Sequence, residues 1–189
     1  MPAIALASSS QRYDARLLHV DINTHAIMHI RNAAPEDFAQ ILELNHASVQ
    51  FLSPLSLERL TALHAQASYH RVINSIDGVQ AFLLALREGA AYDSVNYRWF
   101  TASLPQFLYI DRVVVATTAQ GLGHGKRLYA DLIAYAKQTQ ISPITCEFDI
   151  EPINIASQRL HKAFGFAEIG TQYLGAASKR VSMQALLNR

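Results

Sequence analysis

Apolar positions along the chain change their period several times, and each change predicts an element. Residues 26–31 alternate enough for a first strand. Pro35 suits the first position of a helix, and Phe38, Ile41, Leu42 and Leu44 follow at core-facing spacing. Pro54 interrupts the path, and Ser56 caps a second helix carrying Leu57, Leu60 and Leu63. Residues 69–75 and 79–87 read as strands joined by the hairpin dipeptide Asp77-Gly78. Residues 107–116 form a buried strand, and 123–139 a helix with Leu128, Leu132, Ile133 and Ala136 on one face. Residues 144–150 are the next strand, 154–164 a helix stopped by Gly165, and 167–174 and 180–187 a last strand pair. Residues 91–104 are polar and aromatic and carry no clear period. The order β-α-α-β-β-β-α-β-α-β-β predicts an α/β (α+β) chain, a mixed sheet with helices on both faces.

Composition narrows the class. Half of the 189 residues are hydrophobic, enough for one good core. Residues 1–25 are low in pattern and read as an N-terminal extension, leaving 26–189 as a single domain. A formal net charge of +1 argues against a nucleic-acid partner. No window is apolar and long enough to span a bilayer, and the N-terminus lacks the basic start of a signal peptide. The single cysteine, Cys146, excludes an internal disulfide and points to a reducing, cytoplasmic setting. Cys146 reads as a small buried strand residue, and the histidines lack metal-ligand spacing, so no metal is expected.

The chemistry concentrates in residues 109–128, YIDRVVVATTAQGLGHGKRL. A strand running through a glycine-rich turn into a helix N-terminus makes an anion site, because free amides converge there and the helix dipole adds positive character. Gly121, Gly123 and Gly125 let the backbone approach a pyrophosphate closely. A dinucleotide fingerprint fails at Lys126, and a Walker A loop fails at Gln120 and Arg127. What remains is Q-x-x-G-x-G at Gln120, Gly123 and Gly125.

With that loop the chain resembles the GNAT N-acetyltransferases. The run from Asn154 through Ser157 and His161 to Gly165-Phe166 is similar to the family's N-x-x-A-x-x-x-Y-x-x-x-G-F segment, and Ile30-Arg31 with Pro35-Glu36-Asp37 to its first strand and helix. YIDRVVV, SPL at 53–55, residues 91–100 and the LH…GF stretch further resemble an uncharacterised bacterial branch. The resemblance implies a mostly antiparallel sheet whose central strands splay apart to admit acetyl-CoA. It implies transfer of an acetyl group from the CoA thioester to a primary amine of a small molecule. The alternatives are acetylation of a protein lysine or N-terminus, and a non-catalytic acyl-CoA-binding module.

Roles follow from the resemblance. Amides of Gln120, Gly121, Leu122, Gly123, His124, Gly125 and Lys126 would hold the pyrophosphate. Lys126 and Arg127 would add charge or simply be a solvated helical turn. A main-chain N–H among Val113, Val114 and Val115 would polarise the thioester carbonyl. Asn154 and Ser157 would touch the CoA arm or cap the helix, with Ile155 and Ala156 as spacers. Asp111 is the nearest acid, a candidate base or amine-binding group, and Tyr109, with it on the strand face of Val113, is a further catalytic candidate. An ion pair with Arg112 is its structural alternative. His161 stands where the family's frequent tyrosine acid stands, and could protonate the leaving thiolate, hydrogen-bond the sulfur, or merely pack. Asp93, Asn96, Tyr97 and Trp99, with Tyr92 and Arg98, suit an acceptor wall or feed the core; Asn45 and Glu43 are further candidates. The C-terminal strands offer a surface for a homodimer.

Overall fold

Local signals in the sequence account for most of the elements found. A computed structural model describes residues 28–50, 52–175 and 179–187. The 1–25 extension and the start of the strand expected at 26 lie outside them. Strand β1 (His29–Asn32) leads into a 3₁₀ turn at Pro35–Asp37 and helix α1 (Phe38–His46). The Asp37 carboxylate accepts from the Ala34 N–H at 2.8 Å and takes both Arg31 guanidinium nitrogens at 2.7 Å, which pins the turn. Helix α2 (Leu57–Gln66) starts at Ser56, whose hydroxyl accepts from the Arg59 N–H. Hairpin β2 (Ala67–Ser75) and β3 (Gly78–Arg87) turns at Asp77-Gly78, where Gly78 has φ +96°.

The segment without a period is a helix. α3 (Val95–Ser103) opens at Ser94, whose hydroxyl accepts from the Tyr97 N–H, and buries Asn96, Tyr97 and Phe100. The expected order therefore lacked one helix before the central strand. β4 (Leu108–Val115), α4 (His124–Gln138), β5 (Ile144–Glu151), α5 (Ile155–Phe164), β6 (Ala167–Leu174) and β7 (Lys179–Leu186) complete the chain.

Among the described residues, seven strands form one sheet in the order β1-β2-β3-β4-β5-β7-β6, and of its neighbours only β4 and β5 run parallel. Residues of α1, α2 and α3 build one buried cluster against one face; α4 and α5 build the other. No helix among the described residues is long and apolar enough to cross a membrane.

Two irregularities position everything that follows. β4 and β5 pair only at Leu108–Ile144 and Tyr109–Thr145, then part, so the splay implied by the resemblance is present. In the β3–β4 ladder, Leu84 pairs with Arg112 but Ala85 pairs with Ile110, leaving Asp111 as an extra, bulged residue. The bulge corrects the expected alternation. Tyr109 and Val114 join the α1–α3 cluster, whereas Val113 and Val115 pack against the α4 side. Tyr109 and Val113 therefore do not share a face.

Candidate active site

One cavity of about 1110 Å³ passes through the parting of β4 and β5. Its walls come from both sides of the sheet: Tyr129, Cys146 and Leu160 from the α4–α5 side, Tyr109, Leu174 and Val181 from the α1–α3 side.

At one end stands the glycine-rich turn. Gly121 and Gly123 have φ of +81° and +83°, a region L side chains disfavour, and a Cβ on either would meet nothing within 4 Å. The turn is thus an open cradle and not one filled by the chain itself. The first intrahelical bond of α4 runs from the Arg127 N–H to the Gly123 carbonyl at 3.0 Å, so the amides before it have no intrahelical partner. Gln120, Gly121, Gly123, His124, Gly125 and Lys126 all line the cavity. The Gln120 N–H, expected among the donors, is taken by the Thr117 carbonyl at 3.4 Å, so the free donors begin at Gly121, and that set fits a diphosphate. The Leu122 side chain points to solvent, 63% exposed. Arg127 donates to the Met28 carbonyl at 3.0 Å instead of facing the cradle. His124 is buried, its pKa lowered by desolvation and by Arg127.

Asn154, Ala156 and Ser157 line the cavity beside the turn, while Ile155 is exposed. The Asn154 side chain accepts from the Ser157 N–H at 3.0 Å, so it caps α5.

Backbone polarity in the gap follows from register. The Ala116 N–H donates to the Gln80 carbonyl at 2.8 Å. Alternation along an antiparallel pair then sends the Val114 and Arg112 amides towards β3, and the Val113 and Val115 amides towards the edge that β5 has left. Val113, Val114 and Val115 all line the cavity.

Beyond the gap, on the α1–α3 side, lies a polar cluster. Glu147 on β5 accepts from Asn96 Nδ2 at 2.8 Å and from the Tyr109 hydroxyl at 3.0 Å. Its other oxygen, Oε2, is buried with no hydrogen-bond partner among the described residues. Desolvation pushes the Glu147 pKa up to about 7; the bonds from Asn96 and Tyr109 oppose this, and Asp111 and Asp149 reinforce it. Gln172 donates to Asn96 Oδ1 at 2.8 Å and so fixes which way the Asn96 amide faces. Burial, then Glu147, holds the Tyr109 phenol far above its ordinary range.

Asp111 is occupied. It takes Arg112 Nε at 2.6 Å and the Tyr92 hydroxyl, and both members of the ion pair are 3% exposed. Arg112 continues to Asn45 Oδ1 at 2.7 Å. Asn45 is therefore a buried strut and does not line the cavity. Tyr97 does not line it either: its hydroxyl donates to the Arg87 carbonyl and accepts from the Ala90 N–H. Trp99 packs against Gly170, where a Cβ would approach its ring to 2.6 Å, and it too is outside the cavity. Asn96 and Asp93 do line it, Asp93 at an exposed rim paired with Arg59.

His161 lies in the α4–α5 wall, stacked on Phe148 with ring centroids 5.4 Å apart. Its Nε2 is 2.8 Å from the Tyr129 hydroxyl. Burial lowers the His161 pKa to about 4, against the pull of the Ser157 carbonyl, so the ring is neutral at pH 7. Burial likewise raises the Tyr129 phenol well above its ordinary value.

Sequence reading missed Glu147 and Tyr129. A charged residue inside the apolar strand ITCEFDI was the available signal for Glu147. Tyr129 gave none, because it sits on the core-facing stripe of α4. Among the described residues no group of three or more His, Cys, Asp or Glu side chains is arranged to hold a metal ion.

Residues 50–166 match the model of the acetyltransferase (GNAT) family. An aminoglycoside N(6')-acetyltransferase type 1 from Serratia marcescens is 33% identical over 103 residues, 54% of this chain and 66% of that protein. The match thus spans just under two thirds of that relative's length. An N-acetyltransferase structure from Staphylococcus aureus Mu50 superposes with a TM-score of 0.65 at 20% identity, over 86% of this chain and 99% of that one. The yncA structure from Salmonella typhimurium, solved with its cofactor acetyl-CoA, gives 0.64 at 20% identity, over 86% and 94%.

Proposed function

Because the chain belongs to the acetyltransferase (GNAT) family, we propose that it is an acetyl-CoA-dependent N-acetyltransferase whose acceptor is the primary amine of a small molecule. One observation carries this: a single cavity joins a cradle of free amides, an opened strand edge and a buried carboxylate whose pKa is near 7. The Serratia relative, by its name a modifier of an aminoglycoside amine, supports the acceptor class.

Acetyl-CoA, when bound, supplies an acetyl group activated as a thioester. Amides from Gly121 to Lys126 would hold the diphosphate, with Lys126 adding charge and Asn154 and Ser157 flanking the arm. The Val113 or Val115 N–H, with no strand to pair, would be available to negative charge developing on the carbonyl oxygen. An alkyl ammonium must lose a proton before it can attack. Glu147 Oε2 takes that proton, held by Asn96 and Tyr109. Asp111 acts at one remove, fixing Arg112 and Tyr92 in the wall of the acceptor end. At the leaving group the Tyr129 hydroxyl, 2.8 Å from His161 Nε2, would protonate the thiolate, and the second proton that the amine nitrogen sheds on acylation would restore it. A tyrosine hydroxyl thus stands beside His161 although position 161 itself carries none, which favours a catalytic reading over a non-catalytic module.

A cytoplasmic location suits this reading, since Cys146 is buried and free. A homodimer through β6 suits it as well, because that strand ends the sheet and leaves Ile169 and Tyr173 exposed. The test is release of free CoA thiol from acetyl-CoA across a panel of amines. Amine-dependent release that Glu147→Gln abolishes is expected; tight CoA binding with no amine raising turnover would overturn the reading.

A further inference from the structure

Charge at the acceptor end can be counted residue by residue, and it restricts what the site can take. Four carboxylates line that end: Asp93, Asp111, Glu147 and Asp149. Three have their own cation. Asp93 pairs with Arg59, Asp111 with Arg112, and Asp149 with Lys179 Nζ at 3.0 Å. Glu147 is held only by the uncharged Asn96 and Tyr109, and among the described residues its Oε2 has no partner. Each ion pair sums to zero, so one carboxylate is left uncompensated. A cationic nitrogen docked on Glu147 finds a counter-charge; a second one finds only carboxylates already matched and is desolvated without return. At the rim the Arg59 guanidinium sits 4.9 Å above the Tyr92 ring, so that aromatic face is already occupied by a cation. Leu52, Leu174 and Val181 supply apolar wall beside these groups.

We infer that the acceptor is a small primary amine with a single cationic nitrogen and an apolar body, and not a polycation such as an aminoglycoside. The inference rests on the transferase reading and narrows its substrate class. It parts from the Serratia relative at the acceptor alone.

Titration calorimetry on the full chain with CoA present, at about pH 8 and at low and high salt, tests it. Phenethylamine serves as the monocation and kanamycin as the polycation. Phenethylamine is expected to bind with affinity that changes only a few-fold with salt, as one partly buried pair should. Glu147→Gln should weaken it about tenfold or more. Kanamycin should bind at least about tenfold more weakly than phenethylamine, and Lys179→Ala, which frees Asp149, should recover affinity for it. Tighter binding of kanamycin to the unaltered protein, falling steeply with salt, overturns the inference. Failure of both probes to bind overturns it too, because an uncompensated carboxylate that lines the cavity beside apolar walls must hold the monocation. Thiol release is read separately. Phenethylamine bound without release from acetyl-CoA would sink the transferase reading and leave the charge selectivity standing.

Discussion

Glu147 is the residue on which rate should depend most directly. Its pKa of about 7 means that the ionised, proton-accepting form grows in as pH rises through neutrality. The rate constant kcat/KM should therefore climb with pH to a plateau above about 7. Glu147→Gln should remove that limb and lower kcat by roughly 10²–10⁴-fold, the usual worth of a positioned base. A pH–rate series on both proteins checks this, and an unchanged profile in the variant would exclude Glu147 as the base. His161 gives the opposite expectation. With a pKa of about 4 it contributes no limb near neutrality. Its partner Tyr129 carries the consequence: Tyr129→Phe keeps the ring packing but removes the hydroxyl 2.8 Å from His161 Nε2. It should lower kcat by about 10²-fold while KM for acetyl-CoA stays put. An equal rise in KM would assign the pair to binding instead of proton delivery.

Elements matter here mostly at their ends. The start of α4 is the cradle, so Gly123→Glu should abolish CoA binding by calorimetry: the new side chain would be strained at φ +83° and would put negative charge beside the diphosphate. Retained affinity would remove the turn from the site. The start of α5 depends on Asn154, and Asn154→Ala should cost about 1 kcal/mol in denaturant unfolding, the typical worth of an N-cap. How legible the elements were in the sequence follows the same division. Caps, hairpin dipeptide and helical stripes are local, so Ser56, Asp77-Gly78 and the α4 stripe could be read directly. Helix α3 was not legible because aromatic residues suit strand and helix alike, and its core contacts, Tyr97 and Phe100, are only one turn apart. The bulge at Asp111 left no local mark, since it is a matter of register between two strands. Face assignments along β4 failed for that reason, though the open turn a few residues later could be read from its glycines.

For the molecule as a whole, the proposed active site and folding stability pull against each other through Glu147. Its folded pKa of about 7 lies above its ordinary 4.5, so the folded state favours the protonated form. The stability this contributes is full below about pH 4.5 and is lost as pH rises through 7. Above pH 7 the chain carries a carboxylate in a desolvated cleft with no cation assigned to it. A shift of that size corresponds to at most about 3.4 kcal/mol, and on the order of 1–3 kcal/mol is expected. Gln at 147 keeps an oxygen for Asn96 and Tyr109 and replaces the charged Oε2 by an uncharged NH2 that faces the cavity. Glu147→Gln should therefore melt several degrees above the unaltered protein at pH 8, with the gap closing towards pH 4.5. Thermal unfolding at a series of pH values reads this without any substrate. A variant less stable at pH 8 would mean that the carboxylate is compensated in solution, and the uncompensated charge that selects the acceptor would go with it.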